Sequence, residues 1–147
     1  MSAHSPLLQV EHLAVHFPMA RTSWLQRGAS PVLQAVSDVS FSMMPGETLA
    51  LVGESGCGKT TLGRAIVGLY PTTHGAIRFK GEDLATMAKD QRQQTRHAIQ
   101  MIFQDPYESL NPRLPVSDVI TEPLLIHGIG SNTERADRAR ALIAQVG

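Results

Sequence analysis

The sequence predicts an α/β fold that is organised around a phosphate-binding loop. A short apolar run, Thr48–Val52, leads into a glycine-rich loop, Gly53–Gly58. An apolar stripe typical of a helix then follows at positions 62, 65, 66 and 69. A strand, a glycine-rich loop and a helix in this order are the context that a P-loop requires.

Two strands are predicted before this unit. Leu7–Phe17 and Val32–Met44 each alternate in part between apolar and polar residues. The segment between them, Pro18–Pro31, is rich in Arg, Ser, Gly and Pro and is predicted to be an exposed loop. Pro45 and Gly46 indicate a tight turn, because proline fixes φ and glycine tolerates positive φ. We expect these strands to form an antiparallel β portion.

The run Thr48–Val52 is typical of a central strand that is buried on both faces. The helix after the loop is expected to end near Tyr70, and residues 75–80 and 98–103 predict two further strands. The polar segment between these strands, 82–96, is expected to be partly helical. This order would place the glycine-rich loop at the carboxyl end of a central strand, where α/β sheets bind ligands.

The last third of the chain predicts a loop and two helices. Residues 105–115 contain three prolines and are predicted to be a loop. Ser117 is a candidate N-cap for a helix that contains Pro123 as a kink. Ser131 and Glu134 fit a capping box at the start of the final helix.

Composition excludes several classes of protein. The chain has 147 residues, and 13 Lys and Arg balance 13 Asp and Glu, which argues against a general nucleic-acid binder. The single cysteine, Cys57, excludes an intrachain disulfide framework. No apolar run approaches the roughly 20 residues of a membrane helix, and the N-terminus lacks a signal-peptide pattern. A cytoplasmic location is therefore expected.

The segment Gly53–Thr60 satisfies the P-loop pattern G-x-x-x-x-G-K-[ST]. Its glycines permit backbone angles that point N–H groups toward an anion, and the helix that follows adds its positive dipole end. Lys59 supplies an ammonium for the β and γ phosphates, the Thr60 hydroxyl can ligate Mg²⁺, and Thr61 can reach a phosphate oxygen. The candidate nucleotide-binding residues of this loop are Gly53, Ser55, Gly56, Cys57, Gly58, Lys59, Thr60 and Thr61.

Gln104 is a second candidate, because it follows the apolar residues 101–103. A glutamine at the end of a strand can bring its carboxamide near the γ phosphate, where it would ligate the metal or order the attacking water. The alternative is an exposed loop glutamine, since spacing alone does not distinguish the two. Cys57 also has two interpretations: a small side chain that points away from the ligand, or a reactive thiol at a helix N-terminus.

With these motifs the chain resembles the ATP-binding subunits of ABC transporters. The matching segments are GESGCGKTT at Gly53–Thr61, MIFQDPYESLNP at Met101–Pro112 and FSMMPGETLALVG at Phe41–Gly53. The run at Phe103–Arg113 looks closest to the subfamily that serves bacterial oligopeptide and dipeptide importers and the related glutathione and nickel systems. The resemblance covers essentially the whole chain and implies an ABC-type P-loop NTPase fold with ATP and Mg²⁺ as cofactors.

The resemblance also implies roles and partners. Gln104 would be the Q-loop glutamine that contacts Mg²⁺ and senses the γ phosphate, so that Lys59 and Gln104 carry the catalytic roles. Phe17 would be the aromatic on which adenine stacks, although its place on a strand also suits a core residue. The loop after Gln104 would face transmembrane permease subunits, and a second ATP-binding subunit, identical or related, would complete the site. The implied location is the cytoplasmic face of the inner membrane.

Three family elements have no counterpart in the sequence: an LSGGQ-type signature, an apolar strand ending in Asp-Glu, and a switch histidine. We therefore expect a truncated nucleotide-binding domain, with a P-loop core and antiparallel β portion over 1–115 and the beginning of a helical subdomain over 116–147. Two functions stay open: an energy-coupling ATPase subunit of a peptide-type importer, or a nucleotide-binding or interaction fragment without ATP hydrolysis. A small kinase or GTPase is disfavoured, because no Asn-Lys-x-Asp guanine motif is present.

Overall fold

A computed structural model of the chain describes residues 5–19, 30–105 and 110–146. Most of the predicted loop between the first two strands and part of the proline-rich segment after Gln104 lie outside these residues. The chain divides into two units, Met1–Met101 and Ile102–Gly147, and each is described by itself.

The first unit holds a four-stranded antiparallel sheet in the order β2-β1-β3-β4. The strands are β1 Leu8–Pro18, β2 Val32–Met43, β3 His74–Phe79 and β4 Glu82–Asp83. β1 lies in the middle of the three longer strands, between β2 and β3, and this position explains why Val10, Leu13 and Val15 are buried. The antiparallel pair of β1 and β2 confirms the predicted antiparallel β portion, and β3 confirms the strand predicted at 75–80.

Helix α1, Lys59–Ile66, packs its buried side chains Leu62 and Ala65 against this sheet. The two positions are three residues apart and lie on one face of the helix, as the apolar stripe predicts. The cluster that they join consists of Leu8, Val10, Leu13, Val15, Val36, Leu62, Ala65 and Ile77. The core of this unit therefore holds α1 in place, and α1 begins where the glycine-rich loop ends.

Two predicted strands are wrong. Thr48–Val52 forms no strand, and Val52 is 90% exposed. Helix α2, Lys89–Ala98, ends where the second strand was expected to begin, and Ile102 is 96% exposed. A strand that is apolar on both faces needs hydrogen-bonded neighbours at its edges and packed layers on both faces. The sheet formed by the described residues supplies no such neighbour to either segment, so neither segment forms a ladder.

The second unit contains α3, Val116–Ile126, and α4, Asn132–Val146. The predicted N-cap Ser117 is wrong, because the helix starts at Val116, and Pro115, two residues before Ser117, occupies the capping position. Ser117 therefore lies in the first turn, where its hydroxyl bonds the Asp118 carboxylate instead of capping the helix. No helix among the described residues is long and apolar enough to cross a membrane.

The predicted capping box at the start of α4 is confirmed. The Glu134 N–H donates to Ser131 Oγ at 3.3 Å, and the Ser131 N–H donates to Glu134 Oε2 at 2.7 Å. The hydrogen bonds from the backbone and side chain of Ser131, with the nearby charge of Arg135, hold the pKa of Glu134 below its ordinary value of 4.5.

Acidification is expected to break this capping box. A carboxyl group whose pKa is lowered on folding contributes stability that is fully present above its unfolded pKa and is lost as pH falls through the folded value. In an NMR titration the Ser131 amide shift should change with a midpoint below pH 4.5. Glu134→Gln should remove this transition, because its amide still accepts the bond but does not titrate. A midpoint at or above 4.5 would contradict the assignment.

Candidate functional site

The glycine-rich loop takes the backbone conformation that an anion nest requires. Gly56 has φ 83° and Gly58 has φ 95°, both in the left-handed region that favours glycine. Gly58 is also the N-cap of α1, and it is packed closely against β2. A Cβ at Gly58 would lie 2.2 Å from the carbonyl oxygen of Ala35 in β2. The end of the loop is therefore fixed against the sheet at a place where only glycine fits.

Lys59 folds back over this loop. Its Nζ donates hydrogen bonds to the carbonyl oxygens of Gly53 at 2.7 Å and Glu54 at 2.5 Å, and it lies 3.4 Å from Cys57 Sγ. These contacts fix a compact positive charge beside the loop backbone. A phosphate entering the loop would meet this charge without a large movement of the side chain.

The start of α1 adds to the positive potential of the loop. The first amide groups of a helix have no partner within the helix, and the aligned peptide dipoles concentrate positive charge there. The first turn of α1 contains no acidic residue that would offset this charge. Thr60 is exposed and Thr61 is half-buried in the same turn. The first turn of α1 thus combines backbone donors, a hydroxyl group and an ammonium, which together suit a phosphate group.

The structure places Phe17 near the end of β1, where it is half-buried and pairs with Leu33 of β2. Ala35, the neighbour of Gly58, is two residues farther along β2. Phe17 is therefore in the same unit as the loop and on the hairpin that the loop contacts. Gln104 belongs to the second unit, where it is exposed, and its predicted role stays a prediction.

A cavity of about 500 Å³ lies at the opposite end of α1 from the loop. It is lined by residues 65–72 and 75–77, by 83–85, and by Arg92, Thr95, Arg96 and Ile99. None of the predicted site residues lines it. The glycine-rich loop and this cavity are thus separate parts of the first unit.

Alkylation of Cys57 is expected to block the loop. Cys57 is exposed, and its Sγ lies 3.4 Å from Lys59 Nζ and 2.6 Å from the place that a Cβ on Gly53 would take. An N-ethylmaleimide adduct at this position would occupy the loop that is predicted to hold a phosphate. MgATP should slow labelling, which mass spectrometry can follow, and Cys57→Ser should bind nucleotide without being labelled. Equal labelling rates with and without MgATP would contradict this placement.

The antiparallel sheet, the loop and the helix that follows it define a P-loop domain of the nucleotide-binding cassette class. The family model described as ABC transporter matches residues 36–147. The chain therefore belongs to the ABC transporter family.

Similar proteins agree with this family. The chain is 43% identical to the oligopeptide transport ATP-binding protein AppF of Bacillus subtilis, covering 96% of this chain and 43% of that protein. It is 47% identical to the glutathione import ATP-binding protein GsiA of Pectobacterium atrosepticum, covering 99% of this chain and 23% of that protein. The chain thus spans less than half the length of these relatives.

A solved structure supports the fold. The ATP-binding cassette MJ0796, a dimer in a post-hydrolysis state bound to ADP and phosphate, matches with a TM-score of 0.69 at 21% identity. The match covers 91% of this chain and 54% of that chain. The predicted ABC-type P-loop fold is confirmed at the level of architecture.

Two residues near Phe17 escaped the sequence analysis. Tyr70 contacts the Phe17 ring, and Arg64 bonds the Tyr70 hydroxyl. The sequence predicted only that a helix ends near Tyr70, and it predicted no role for Arg64. No spacing rule links these positions to a strand so far away in the sequence, so only the tertiary structure reveals the contact.

Proposed function

We propose that this chain acts as the ATP-binding, energy-coupling subunit of a peptide-type ABC importer. The names of its relatives, which describe oligopeptide transport and glutathione import, support the substrate class. The observation that carries the proposal is the loop itself, where Lys59 Nζ is held by the carbonyl oxygens of Gly53 and Glu54. Its left-handed glycines and uncompensated helix start are the features that bind a nucleotide phosphate chain.

In this proposal the P-loop and Gln104 share the work on MgATP. The loop amides and Lys59 hold the phosphates, and this positioning supplies most of what a phosphoryl-transfer site needs. Thr60 would supply its hydroxyl oxygen to Mg²⁺, and Thr61 would bond a phosphate oxygen. Gln104 would contact the metal and respond to the γ phosphate, and Phe17 would stack on the adenine. The role of Gln104 rests on its place in the sequence.

The residues present fit a magnesium ion that arrives with the nucleotide. Among the described residues no group of three or more His, Cys, Asp and Glu side chains could hold a metal by itself. Mg²⁺ in nucleotide sites is bound by one or two protein groups together with substrate phosphates, and it neutralises charge on the phosphate oxygens. The exposed Thr60 hydroxyl at the loop is such a protein group.

The proposal extends to partners and organisation. Residues 1–115 would form the P-loop core and 116–147 the beginning of a helical subdomain. The segment after Gln104, of which 106–109 lies outside the described residues, would contact transmembrane permease subunits. A second ATP-binding subunit, identical or related, would face the loop. The assembly would lie at the cytoplasmic face of the inner membrane.

Binding and turnover of MgATP by this chain test the proposal against its alternative, a nucleotide-binding or interaction fragment without hydrolysis. We expect calorimetry to detect MgATP binding, because the left-handed glycines, the helix start and Lys59 all lie in this one loop segment. Steady-state phosphate release then separates the two functions. Turnover that disappears in Lys59→Ala would support the ATPase subunit, whereas binding with no release above the Lys59→Ala background would favour the fragment. Absence of any MgATP binding would overturn the ATPase subunit and the nucleotide-binding fragment, and it would leave only an interaction fragment.

A further inference from the structure

A chain of contacts joins helix α1 to Phe17. The rings of Phe17 and Tyr70 lie edge to face, with centroids 5.2 Å apart and planes at 82°. The Tyr70 hydroxyl accepts a hydrogen bond from Arg64 Nη1 at 2.9 Å. The Arg64 guanidinium carbon lies 5.7 Å from the centroid of the Tyr70 ring. Arg64 thus touches Tyr70 both at its hydroxyl and along its ring.

Tyr70 is held at its backbone as well as at its side chain. Its N–H donates to the carbonyl oxygen of Arg64 at 3.2 Å. Because Arg64 bonds both ends of the residue, the Tyr70 ring has little freedom to turn. An edge-to-face aromatic pair has a preferred geometry, so a fixed Tyr70 restricts the Phe17 ring in turn.

Helix α1 and strand β2, together called the frame here, also hold the phosphate loop. Helix α1 begins at the loop with Lys59 and presents Arg64 in its last turn. At the other side, β2 places the Ala35 carbonyl against Gly58 and pairs Leu33 with Phe17. Phe17 is therefore tied to the loop along two routes, one through α1 and Tyr70 and one through β2. Such a frame fixes the distance and direction from the loop to the aromatic ring.

We infer that Tyr70, held by Arg64, is a positioning residue that orients Phe17 toward the purine base of a nucleotide whose phosphates occupy the loop. The inference rests on the proposed function, in which Phe17 stacks on adenine. A ring that is already oriented loses less conformational freedom when a base stacks on it, which raises affinity without any new contact to the ligand. Tyr70 should therefore affect the binding of the base and leave the binding of the phosphates unchanged.

Inorganic tripolyphosphate and ATP, each with Mg²⁺, separate these contributions. Tripolyphosphate reports the loop alone, whereas ATP reports the loop and the base. By calorimetry on the whole chain, Tyr70→Leu should weaken ATP binding about 3- to 10-fold. Its tripolyphosphate affinity should stay within about twofold of wild type, because the phosphate contacts are unchanged. Phe17→Ala should weaken ATP binding at least as strongly, and its tripolyphosphate affinity should also stay close to that of wild type.

Two variants separate positioning from loss of packing. Phe79→Leu removes a half-buried aromatic ring from β3 next to Leu8, at the opposite end of β1 from Phe17, and should leave both affinities unchanged. Tyr70→Phe keeps the ring but loses the Arg64 bond, and should restore only part of the ATP affinity that Tyr70→Leu loses. Thermal melts of every variant identify those that fail to fold. If Tyr70→Leu is one of them, Tyr70→Phe and Arg64→Met replace it in the comparison of ATP affinity with tripolyphosphate affinity.

The outcomes are distinct. A selective loss of ATP affinity in Tyr70→Leu, with partial rescue in Tyr70→Phe, supports the inference. Equal losses for ATP and tripolyphosphate would show that Tyr70 only stabilises the fold, and an unchanged ATP affinity would show that it has no role in the site; either result overturns the inference. If the wild-type chain binds tripolyphosphate as tightly as ATP, the roles of Phe17 and Tyr70 are refuted, but the proposed function is not. Failure to bind either ligand refutes the proposed function itself.

Discussion

Lys59→Ala is expected to abolish measurable MgATP binding, with a loss of about 100-fold or more. The ammonium is the positive side chain that the structure places on the loop, within hydrogen-bond distance of the Gly53 and Glu54 carbonyl oxygens. Each hydrogen bond between charged partners contributes roughly 1.5–3 kcal/mol, and Lys59 would bond two phosphate groups. The loss of both bonds therefore accounts for a factor of this size. Isothermal titration with MgATP measures it directly.

The same change should hardly affect folding. The carbonyl oxygens that Lys59 releases lie on exposed residues, where water replaces the lost hydrogen bonds at a net cost of about 1 kcal/mol or less. Lys89→Ala is the matched control, because it removes an identical charge from an exposed position at the start of α2. It should bind MgATP like wild type. Wild-type affinity in Lys59→Ala would show that the loop is not the phosphate site.

Local sequence signals predicted the parts of the site that depend on neighbouring residues. The loop at Gly53–Thr60 could be predicted because nest geometry, helix start and lysine all lie within one short segment. The same is true of the capping box at Ser131 and Glu134, whose two hydrogen bonds span a single helical turn. In both cases the residues that satisfy a backbone group are a few positions away, so the pattern contains the whole interaction.

The predictions that were wrong depend on partners elsewhere. Thr48–Val52 has the composition of a buried strand, but composition reports only what surrounds a strand when its neighbours are present. Without a ladder among the described residues, its apolar side chains stay exposed. The contact of Tyr70 with Phe17 was missed for a related reason, since it joins residues distant in sequence. Sequence patterns thus identified the glycine-rich loop and the start of α1, whereas tertiary contacts were needed to find what surrounds them.

Gly58→Ala is expected to destabilise the first unit and to impair nucleotide binding together. Gly58 has φ 95°, a conformation that costs an alanine roughly 1–2 kcal/mol. Its Cβ would also lie 2.2 Å from the Ala35 carbonyl oxygen, which is backbone and cannot rotate away. Relief of this overlap requires the loop to move off β2, at a further cost of about 1–3 kcal/mol. Because the moved residue is the N-cap of α1, the first amides of the helix would also move, and they belong to the proposed phosphate site.

Gly68→Ala separates the cost of backbone conformation from the cost of the close approach. Gly68 has φ 74°, in the same region as Gly58, but a Cβ there would meet no atom within 4 Å. Urea denaturation should therefore show a loss of about 1–2 kcal/mol for Gly68→Ala and about 2–5 kcal/mol for Gly58→Ala. Only the second variant should lose MgATP affinity. Equal losses of stability would mean that the loop does not rest against Ala35, and the frame that joins Phe17 to the phosphate loop would lose its β2 side.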